Sequence, residues 1–248
     1  MNWRRERHAV AASTNQLALD RISAALACGE SLHGLVIVAE RQTAGRGQHG
    51  RTWESPPGGL YLSAVIDQVH ESNRPRLSLL AGAAVAIALD RLGVGGAGIW
   101  WPNDIVIGEK KIAGILCESG ALGGAWAGII GVGINVETVL EDLPESLRTR
   151  ATSLRAAGVE LSVATVEEAL LVALGELLDK PFSAVLRQVR KRNALAGKSI
   201  LVRQGDQTLH AVANGIGEEG ELLITVEGMT RPIRDGTLIE VEGRRLRD

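Results

Sequence analysis

The chain has 248 residues, 45% of them hydrophobic, with a formal net charge of −2 and an isoelectric point near 6.2. This length allows one large domain or a medium domain with a small one, and the apolar content is typical of a globular protein with a sizeable core. The charge balance argues against bulk binding of nucleic acid, which needs a basic face. Since no apolar run reaches membrane-spanning length and no secretory signal is recognisable, we expect a cytoplasmic protein without membrane association.

The first part of the chain alternates short apolar runs with longer amphipathic segments. A helix is predicted to begin at Ser13, because Ser13 and Gln16 have the spacing of a capping box. Apolar runs bounded by glycine or charge predict buried strands over residues 34–40 and 58–66. Residues 76–92, which are rich in alanine, form a predicted buried helix that packs closely.

The middle of the chain is β-rich and then helical. Two β-rich runs flank residues 108–110, which predicts a hairpin with a tight turn. Residues 125–136 form a predicted apolar strand, whose glycines indicate that a ligand or a backbone approaches it closely. Helices are predicted over residues 165–178 and 183–195.

The pattern changes again after residue 195, where short strands are punctuated by glycine. We therefore place a domain boundary there, between a domain of residues 1–195 and one of residues 196–248. The second domain is predicted to be a small five-stranded barrel, with strands over residues 198–204, 208–216, 221–228, 230–236 and 237–243. The two cysteines and five histidines show no ligand spacing, so we expect no metal held by protein side chains.

Three polar clusters lie at the ends of these predicted elements. The first is the sequence Ser13-Thr14-Asn15 at a helix N-terminus, where free N–H groups and the helix dipole favour an acceptor or an anion. A plain helix cap is the alternative for this cluster.

The second cluster is AERQTAGRGQHGRTW, residues 39–53, which we call the Gly/Arg loop. Gln42 offers both a donor and an acceptor, which suits an amide-like or ureido ligand. Guanidinium groups and glycine N–H groups together suit a phosphate, and the loop supplies them at Arg46, Arg51, Gly45 and Gly47. The alternative is a mobile surface loop that its charges keep solvated.

The third cluster combines the sequence Trp101-Pro102-Asn103-Asp104 with Lys111 and Gly114 across the hairpin. Lys111 has the apolar neighbours Ile112 and Ala113 and stands near glycines, which is the placement of a catalytic cation. The alternative is a lysine that faces solvent, as we expect for Lys110.

Six motifs follow one another between residues 13 and 136: S-T-N, A-E-x-Q-x-A-G-R-G-x-x-G-R-x-W, G-x-L-Y-x-S, W-P-N-D, K-x-A-G-I-L-x-E and G-x-G-I-N-V. In this order they are similar to those of biotin protein ligases, and the small C-terminal β domain also resembles theirs. The resemblance implies an α+β fold, with a mixed β-sheet and flanking helices like those of class II synthetases, followed by an SH3-like β-barrel.

The resemblance also implies an activity. Such enzymes make biotinyl-5′-AMP from biotin and MgATP, and then pass the biotinyl group to a lysine of a biotin carboxyl carrier domain. Lys111 corresponds to the lysine that bridges the biotin carboxylate and the α-phosphate, and Asp104 is a candidate to orient or deprotonate the acceptor lysine. A monomer or a homodimer is expected.

Further site residues follow from the same match of motifs. The biotin head group is assigned to Ser13, Thr14 and Gln42, and the adenylate phosphate to Arg46 with the backbone of Gly45 to Gly47. Asn103 is expected near the nucleotide phosphates. The backbones expected to line the biotin pocket are those of Gly58, Gly59, Gly114 and Ile115, and the remaining positions expected to bind substrate are Asn15, Gln48, Arg51, Trp53 and Asn135.

The chain departs from the family pattern in three places. Gln48 stands where many members have arginine, and Trp100 stands where lysine usually precedes W-P-N-D. No winged helix-turn-helix is recognisable before residue 13, so neither a repressor function nor a nucleic-acid partner is expected. The competing hypotheses are a lipoate ligase, which shares the catalytic fold, and a biotin-responsive binding protein without turnover. The Gly/Arg loop and the W-P-N-D and K-x-A-G-I-L motifs favour biotin, and Lys111 with Arg46 favours an enzyme.

Overall fold

The computed structural model describes residues 1–67, 73–122 and 125–246. Within these residues, one sheet has seven strands in the order β1-β2-β3-β7-β6-β5-β4, and we call it the large sheet. It is mixed, because β1 pairs with β2 in parallel and the other neighbours are antiparallel. Its strands are β1 (Arg4–His8), β2 (Leu35–Ala39), β3 (Gly59–Asp67), β4 (Ala97–Trp100), β5 (Asp104–Ile107), β6 (Lys110–Leu122) and β7 (Ala125–Asn135).

In the large sheet, strand prediction succeeded for β2, β3 and β7 and for the hairpin of β5 and β6, whereas β1 was missed and β4 was not predicted as a separate strand. The runs at residues 34–40, 58–66 and 125–136 correspond to β2, β3 and β7. The hairpin between β5 and β6 turns at residues 108 and 109, both with positive φ. β1 was missed because its sequence, RRERH, has no apolar alternation and lies at the edge of the sheet.

The described helices cover the two faces of the large sheet unequally. They are α1 (Thr14–Ala27), α2 (Arg74–Arg91), the single turn α3 (Glu145–Arg148), α4 (Val163–Leu178) and α5 (Phe182–Lys191). One face carries α2, against which α4 and α5 pack, and the other face carries α1 over β3, β6 and β7. Alanines fill the centre of α2, which allows the close packing predicted for it. We call the face under α1 the site face.

The capping of α1 and the end of α5 differ most from the sequence prediction. The helix α1 does begin after Ser13, whose carbonyl accepts from the Leu17 N–H at 3.1 Å, but the capping box does not form. The Gln16 side chain bonds Asp20 and Arg46 instead of reaching back to the helix start. At the other end of the large sheet, α5 stops at residue 191 rather than 195, because the following residues pair with β4.

The chain beyond α5 forms a second, smaller antiparallel sheet. Among the described residues it has six strands rather than the predicted five, because a two-residue strand, Arg244–Arg245, lacks any apolar pattern and was missed. The bounds are β8 (Ser199–Gln204), β9 (Gln207–Ile216), β10 (Leu222–Val226), β11 (Met229–Ile233), β12 (Thr237–Val241) and β13 (Arg244–Arg245). None of the helices in the described ranges is long and apolar enough to cross a membrane.

Candidate functional site

A cavity of about 550 Å³ opens on the site face of the large sheet. It brings together side chains from all three polar clusters that the sequence indicated. Of the predicted site residues, those that line the cavity are Ser13, Thr14, Asn15, Gln42, Arg46, Gly47, Gln48, Arg51, Trp53, Asn103, Asp104, Lys111, Gly114, Ile115 and Asn135.

Two glycines on neighbouring strands form the floor of this cavity. Gly133 on β7 pairs with Gly114 on β6, and the Trp53 indole lies directly over both. A Cβ atom at position 133 would lie 2.5 Å from Trp53 Nε1, and one at position 114 would lie 2.9 Å from the same ring. Glycine is therefore needed at both positions for the indole to rest on the backbone.

Lys111 is held beside a buried carboxylate at the edge of this floor. Its Nζ lies 2.6 Å from Asp104 Oδ1, and the Asp104 side chain is only 4% exposed against 31% for Lys111. The same Nζ lies 5.1 Å from the centre of the Trp53 ring, a cation–π contact. The Lys111 backbone is fixed too, since its N–H donates to the carbonyl of Arg150 and its carbonyl accepts from the N–H of Thr152. The contacts with Asp104 and Trp53 therefore hold the ammonium group, and the backbone bonds hold the residue that carries it.

The N-terminus of α1 and the Gly/Arg loop meet at the other end of the cavity. The Thr14 N–H donates to Gln42 Oε1 at 2.8 Å, and Gln42 Nε2 donates to Ser55 Oγ at 2.9 Å. The Gln42 side chain therefore caps the N-terminus of α1, although it lies 28 residues from Thr14 in sequence. Ser13 Oγ is buried and has no protein partner among the described residues, as is also true of Trp53 Nε1.

A partly buried network beneath α1 connects the loop to β6. Asn15 Nδ2 donates to Glu118 Oε2 at 2.7 Å, and Asn15 Oδ1 accepts from Ser63 Oγ at 2.6 Å. Arg46 completes it with a 2.6 Å bond to Glu118 Oε1. A Cβ atom on Gly131 would collide with Asn15 Oδ1, so a side chain comes close to this strand where a ligand or a backbone was predicted.

The Gly/Arg loop is folded rather than loose. Arg46 and Thr52 form an antiparallel bridge, and the Gly47 N–H donates to the Arg51 carbonyl at 2.7 Å. Arg51 Nε donates to the carbonyl of Gln48 at 3.0 Å. The Gly47 N–H is therefore engaged within the protein, contrary to the prediction that it is available for a phosphate. The Gln48 side chain lines the cavity.

Three predicted residues, Gly45, Gly58 and Gly59, lie outside the cavity lining. A Cβ at Gly45 would collide with the Trp53 carbonyl, and one at Gly59 would collide with the Tyr61 hydroxyl, so both serve local packing. Gly58 has a φ of +88° and accepts a hydrogen bond from the N–H of residue 137. Tyr61 donates to the Pro56 carbonyl, and burial raises the pKa of its hydroxyl well above the usual range.

Asn103 and Asn135 line the cavity, but their amide groups hold neighbouring backbone. Asn103 Nδ2 donates to the carbonyl of Ile115, and Asn135 Nδ2 donates to the carbonyl of Thr152, both at 3.0 Å. These bonds fix β6 and the segment that follows β7 around Lys111. A role in which these two amide nitrogens contact the ligand is therefore disfavoured.

Sequence reasoning missed one whole wall of the cavity. It belongs to the segment after β7 and to the C-terminal end of the described chain, where no motif or strong periodicity was recognised. Arg150 ties these two parts together, because its Nη1 donates to the carbonyl of Leu246 at 2.8 Å. The residues of this wall are Leu143, Pro144, Ser146, Leu147, Arg150, Ala151 and Leu246.

The described residues contain no group of three or more histidine, cysteine, aspartate or glutamate side chains that could hold a metal ion. Of the five histidines, His70 lies outside the described residues.

Known proteins resemble this chain over most of its length. Residues 9–135 match the model of the Biotin/lipoate A/B protein ligase family. The bifunctional ligase/repressor BirA of Escherichia coli is 33% identical over 91% of this chain and 70% of that protein. The biotin–[acetyl-CoA-carboxylase] ligase of Mycobacterium tuberculosis is 30% identical over 94% of this chain and 88% of its own length. The structure of a biotin protein ligase from Aquifex aeolicus in complex with biotin and ATP superimposes with a TM-score of 0.80, at 27% identity, over 97% of this chain and 98% of the other.

Proposed function

The chain belongs to the Biotin/lipoate A/B protein ligase family, and from this membership we propose how its site performs the reaction of a biotin protein ligase. The protein activates biotin with ATP to biotinyl-5′-AMP and transfers the biotinyl group to a lysine of a biotin carboxyl carrier domain. The observation that carries the assignment of roles is the Lys111 cation, held beside buried Asp104 on a floor of glycine.

The first step places negative charge where Lys111 is held. An oxygen of the biotin carboxylate attacks the α-phosphorus of ATP, the bond from that phosphorus to the bridging oxygen breaks, and pyrophosphate leaves. Charge accumulates on the α-phosphate oxygens, and an ammonium group that is already oriented stabilises it without reorganisation. Asp104 and Trp53 supply that orientation.

We assign the biotin head group to the end of the cavity near α1. Ser13 Oγ and Trp53 Nε1 are buried there without a protein partner among the described residues, so each can satisfy its hydrogen bond through a ligand. A ureido group offers one acceptor oxygen and two N–H donors, which suits this mixture of side chains. Gln42 and Thr14 already bond each other, so they act mainly by shaping this end of the cavity.

We assign the adenylate to the region between the Gly/Arg loop and the wall that sequence reasoning missed. Arg46, Gln48 and Arg51 bring polar and charged groups to one side, and Leu143 and Leu147 offer apolar surface on the other. Mg²⁺ would enter bound to the phosphates of ATP, because the described protein residues offer no cluster of ligands of their own. It would neutralise charge on the leaving pyrophosphate.

In the second step the amine of the acceptor lysine, once it has lost a proton, attacks the carbonyl carbon of biotinyl-AMP, and AMP leaves. Asp104 is the buried carboxylate nearest to the position of that reaction. Because it already pairs with Lys111, we propose that it acts first as the anchor of that cation. Proton acceptance from the incoming lysine is the secondary proposal.

The test incubates the purified protein with MgATP and labelled biotin, with and without a carrier domain. We expect pyrophosphate and biotinyl-AMP in both cases, and a labelled carrier in the second. Lys111→Ala should lower adenylate formation by about 10²–10³-fold, the usual loss for one such electrostatic group. The matched control is Lys110→Ala, because Lys110 is exposed on the same strand. Activation of lipoate in place of biotin, or equal activity of the two lysine variants, would contradict the proposal.

A further inference from the structure

A tryptophan extends the row of residues that forms the cavity floor. Gly133 pairs with Gly114, Gly114 pairs with Asp104, and Asp104 pairs with Trp100 at the end of β4. Residues opposite one another on neighbouring strands point to the same face, so the indole of Trp100 belongs to the site face. At the usual strand spacing its Cα lies about 5 Å beyond that of Asp104 and about 10 Å beyond that of Gly114. Trp100 also lines the cavity.

The polar edge of this indole has no partner in the described protein. Trp100 is only 3% exposed, and its Nε1 is buried without a hydrogen-bond acceptor. The next residue provides a comparison, because Trp101 is equally buried but its Nε1 donates to the carbonyl of Gly220 at 2.9 Å. A buried donor without an acceptor is destabilising, and a ligand that brings the acceptor removes that cost. Of the two adjacent indoles, the one without a partner is the one that lines the cavity.

The geometry of the proposed reaction indicates which part of the ligand reaches Trp100. Displacement at the α-phosphorus places the incoming carboxylate and the leaving group roughly in line. Biotin is assigned to the end of the cavity near Ser13, so its carboxylate approaches Lys111 and Asp104 from the side of β7. The leaving pyrophosphate then departs across the sheet in the opposite direction, from β5 toward β4. The ribose and the base of the nucleotide are assigned to the wall that contains Leu143 and Leu147.

We propose that Trp100 Nε1 donates a hydrogen bond to an oxygen of the leaving pyrophosphate, the β- or γ-phosphate of ATP. The inference rests on the proposed function, because it places the α-phosphate at Lys111. It makes Trp100 a determinant of triphosphate binding that acts through a neutral donor. It also predicts that ATP uses this contact while AMP and biotin do not.

The first test compares Trp100→Phe with Trp101→Phe. Each change removes one indole N–H and retains an aromatic ring. With biotin present, the dissociation constant of Mg²⁺-α,β-methylene-ATP, which cannot release pyrophosphate, is measured by calorimetry. Trp100→Phe should raise this constant about 3- to 10-fold, as expected for one neutral hydrogen bond, and should leave the constants for AMP and biotin unchanged. Trp101→Phe should leave all three constants unchanged, although it should lower the melting temperature.

The second test observes the donor directly in the unaltered protein. The chain has five tryptophans, so a ¹⁵N spectrum resolves their indole N–H groups, and the Trp100 signal is assigned by sequential methods or by its loss in Trp100→Phe. The Trp100 proton should move downfield when α,β-methylene-ATP binds and should stay in place with AMP. An equal response to AMP, no response to a bound triphosphate, or no binding of the triphosphate would each overturn the proposal. Failure to form biotinyl-AMP from biotin and ATP would instead contradict the proposed function, which this spectrum does not measure.

Discussion

Replacement of Gly133 by alanine places a methyl group against the indole that covers the cavity floor. The new Cβ would lie 2.5 Å from Trp53 Nε1 and 2.6 Å from its Cε2. Non-bonded carbon atoms prefer a separation of about 3.5–4.0 Å, so the ring has to move by about 1 Å. The same ring lies 5.1 Å from Lys111 Nζ, and the movement therefore disturbs the group proposed to act on the α-phosphate.

The size of the effect follows from these distances. Insertion of one methyl group into a well-packed site usually costs about 1–3 kcal/mol. If the cost falls on the bound state, kcat/KM for biotin decreases by about 5- to 150-fold. A displacement of about 1 Å at a catalytic constellation has consequences of the same order. We expect the loss to appear in kcat/KM for biotin, since Trp53 Nε1 is one of the donors assigned to it.

The assay is pyrophosphate release at varied biotin and saturating MgATP, together with thermal unfolding of each variant. Gly215→Ala is the matched control, because Gly215 is also a strand glycine, in β9, and nothing lies within 4 Å of the position that its added Cβ would take. It should leave the kinetics unchanged and alter stability by less than about 1 kcal/mol. Normal kinetics in Gly133→Ala, or a loss of activity only in proportion to its lost stability, would refute the role given to the cavity floor.

Three further predictions concern single residues and one concerns nucleic acid. Gln48→Arg should slow the release of labelled biotinyl-AMP in a chase experiment, because a hydrogen bond from a charged donor on the cavity wall contributes about 1.5–3 kcal/mol to binding. Equal release rates would mean that residue 48 does not contact the adenylate. Glu118→Gln should raise the release rate of biotinyl-AMP by a few-fold, since Arg46 loses its charged partner at 2.6 Å. An unchanged release rate would show that Arg46 does not help to retain the adenylate. Glu167→Gln should lower the free energy of unfolding by about 1.5–3 kcal/mol, because this buried carboxylate accepts hydrogen bonds from Arg5 and Arg7. It should leave kcat/KM unaltered, and a kinetic defect at unchanged stability would contradict that interpretation. With a net charge of −2, sequence-dependent DNA binding at physiological salt should be absent, and a submicromolar gel shift would show otherwise.

The structure agrees with sequence reasoning most closely where one segment carries its own signal. β2, β3 and β7 are buried on both sides, so their apolar runs are continuous and were recognised. The Gly/Arg loop and Lys111 were found because unusual residue types stand close together. The boundary of α5 and the strand β1 were missed because tertiary pairing, rather than local sequence, decides where these elements end or begin.

The sequence by itself determined most of the buried elements, because each depends on a pattern within one segment. Through an ordered set of motifs that resembles a known family, it also indicated the α+β class and the part of the cavity lining that those motifs contain. Only the tertiary structure decided which of those residues already form hydrogen bonds within the protein. Gln42 bonds the start of a helix 28 residues away, Arg46 bonds Glu118, and the indole N–H of Trp101 has an acceptor while that of Trp100 has none among the described residues. Whether a polar group has a partner depends on strands and helices that are distant in sequence, and that information does not exist until the chain has folded.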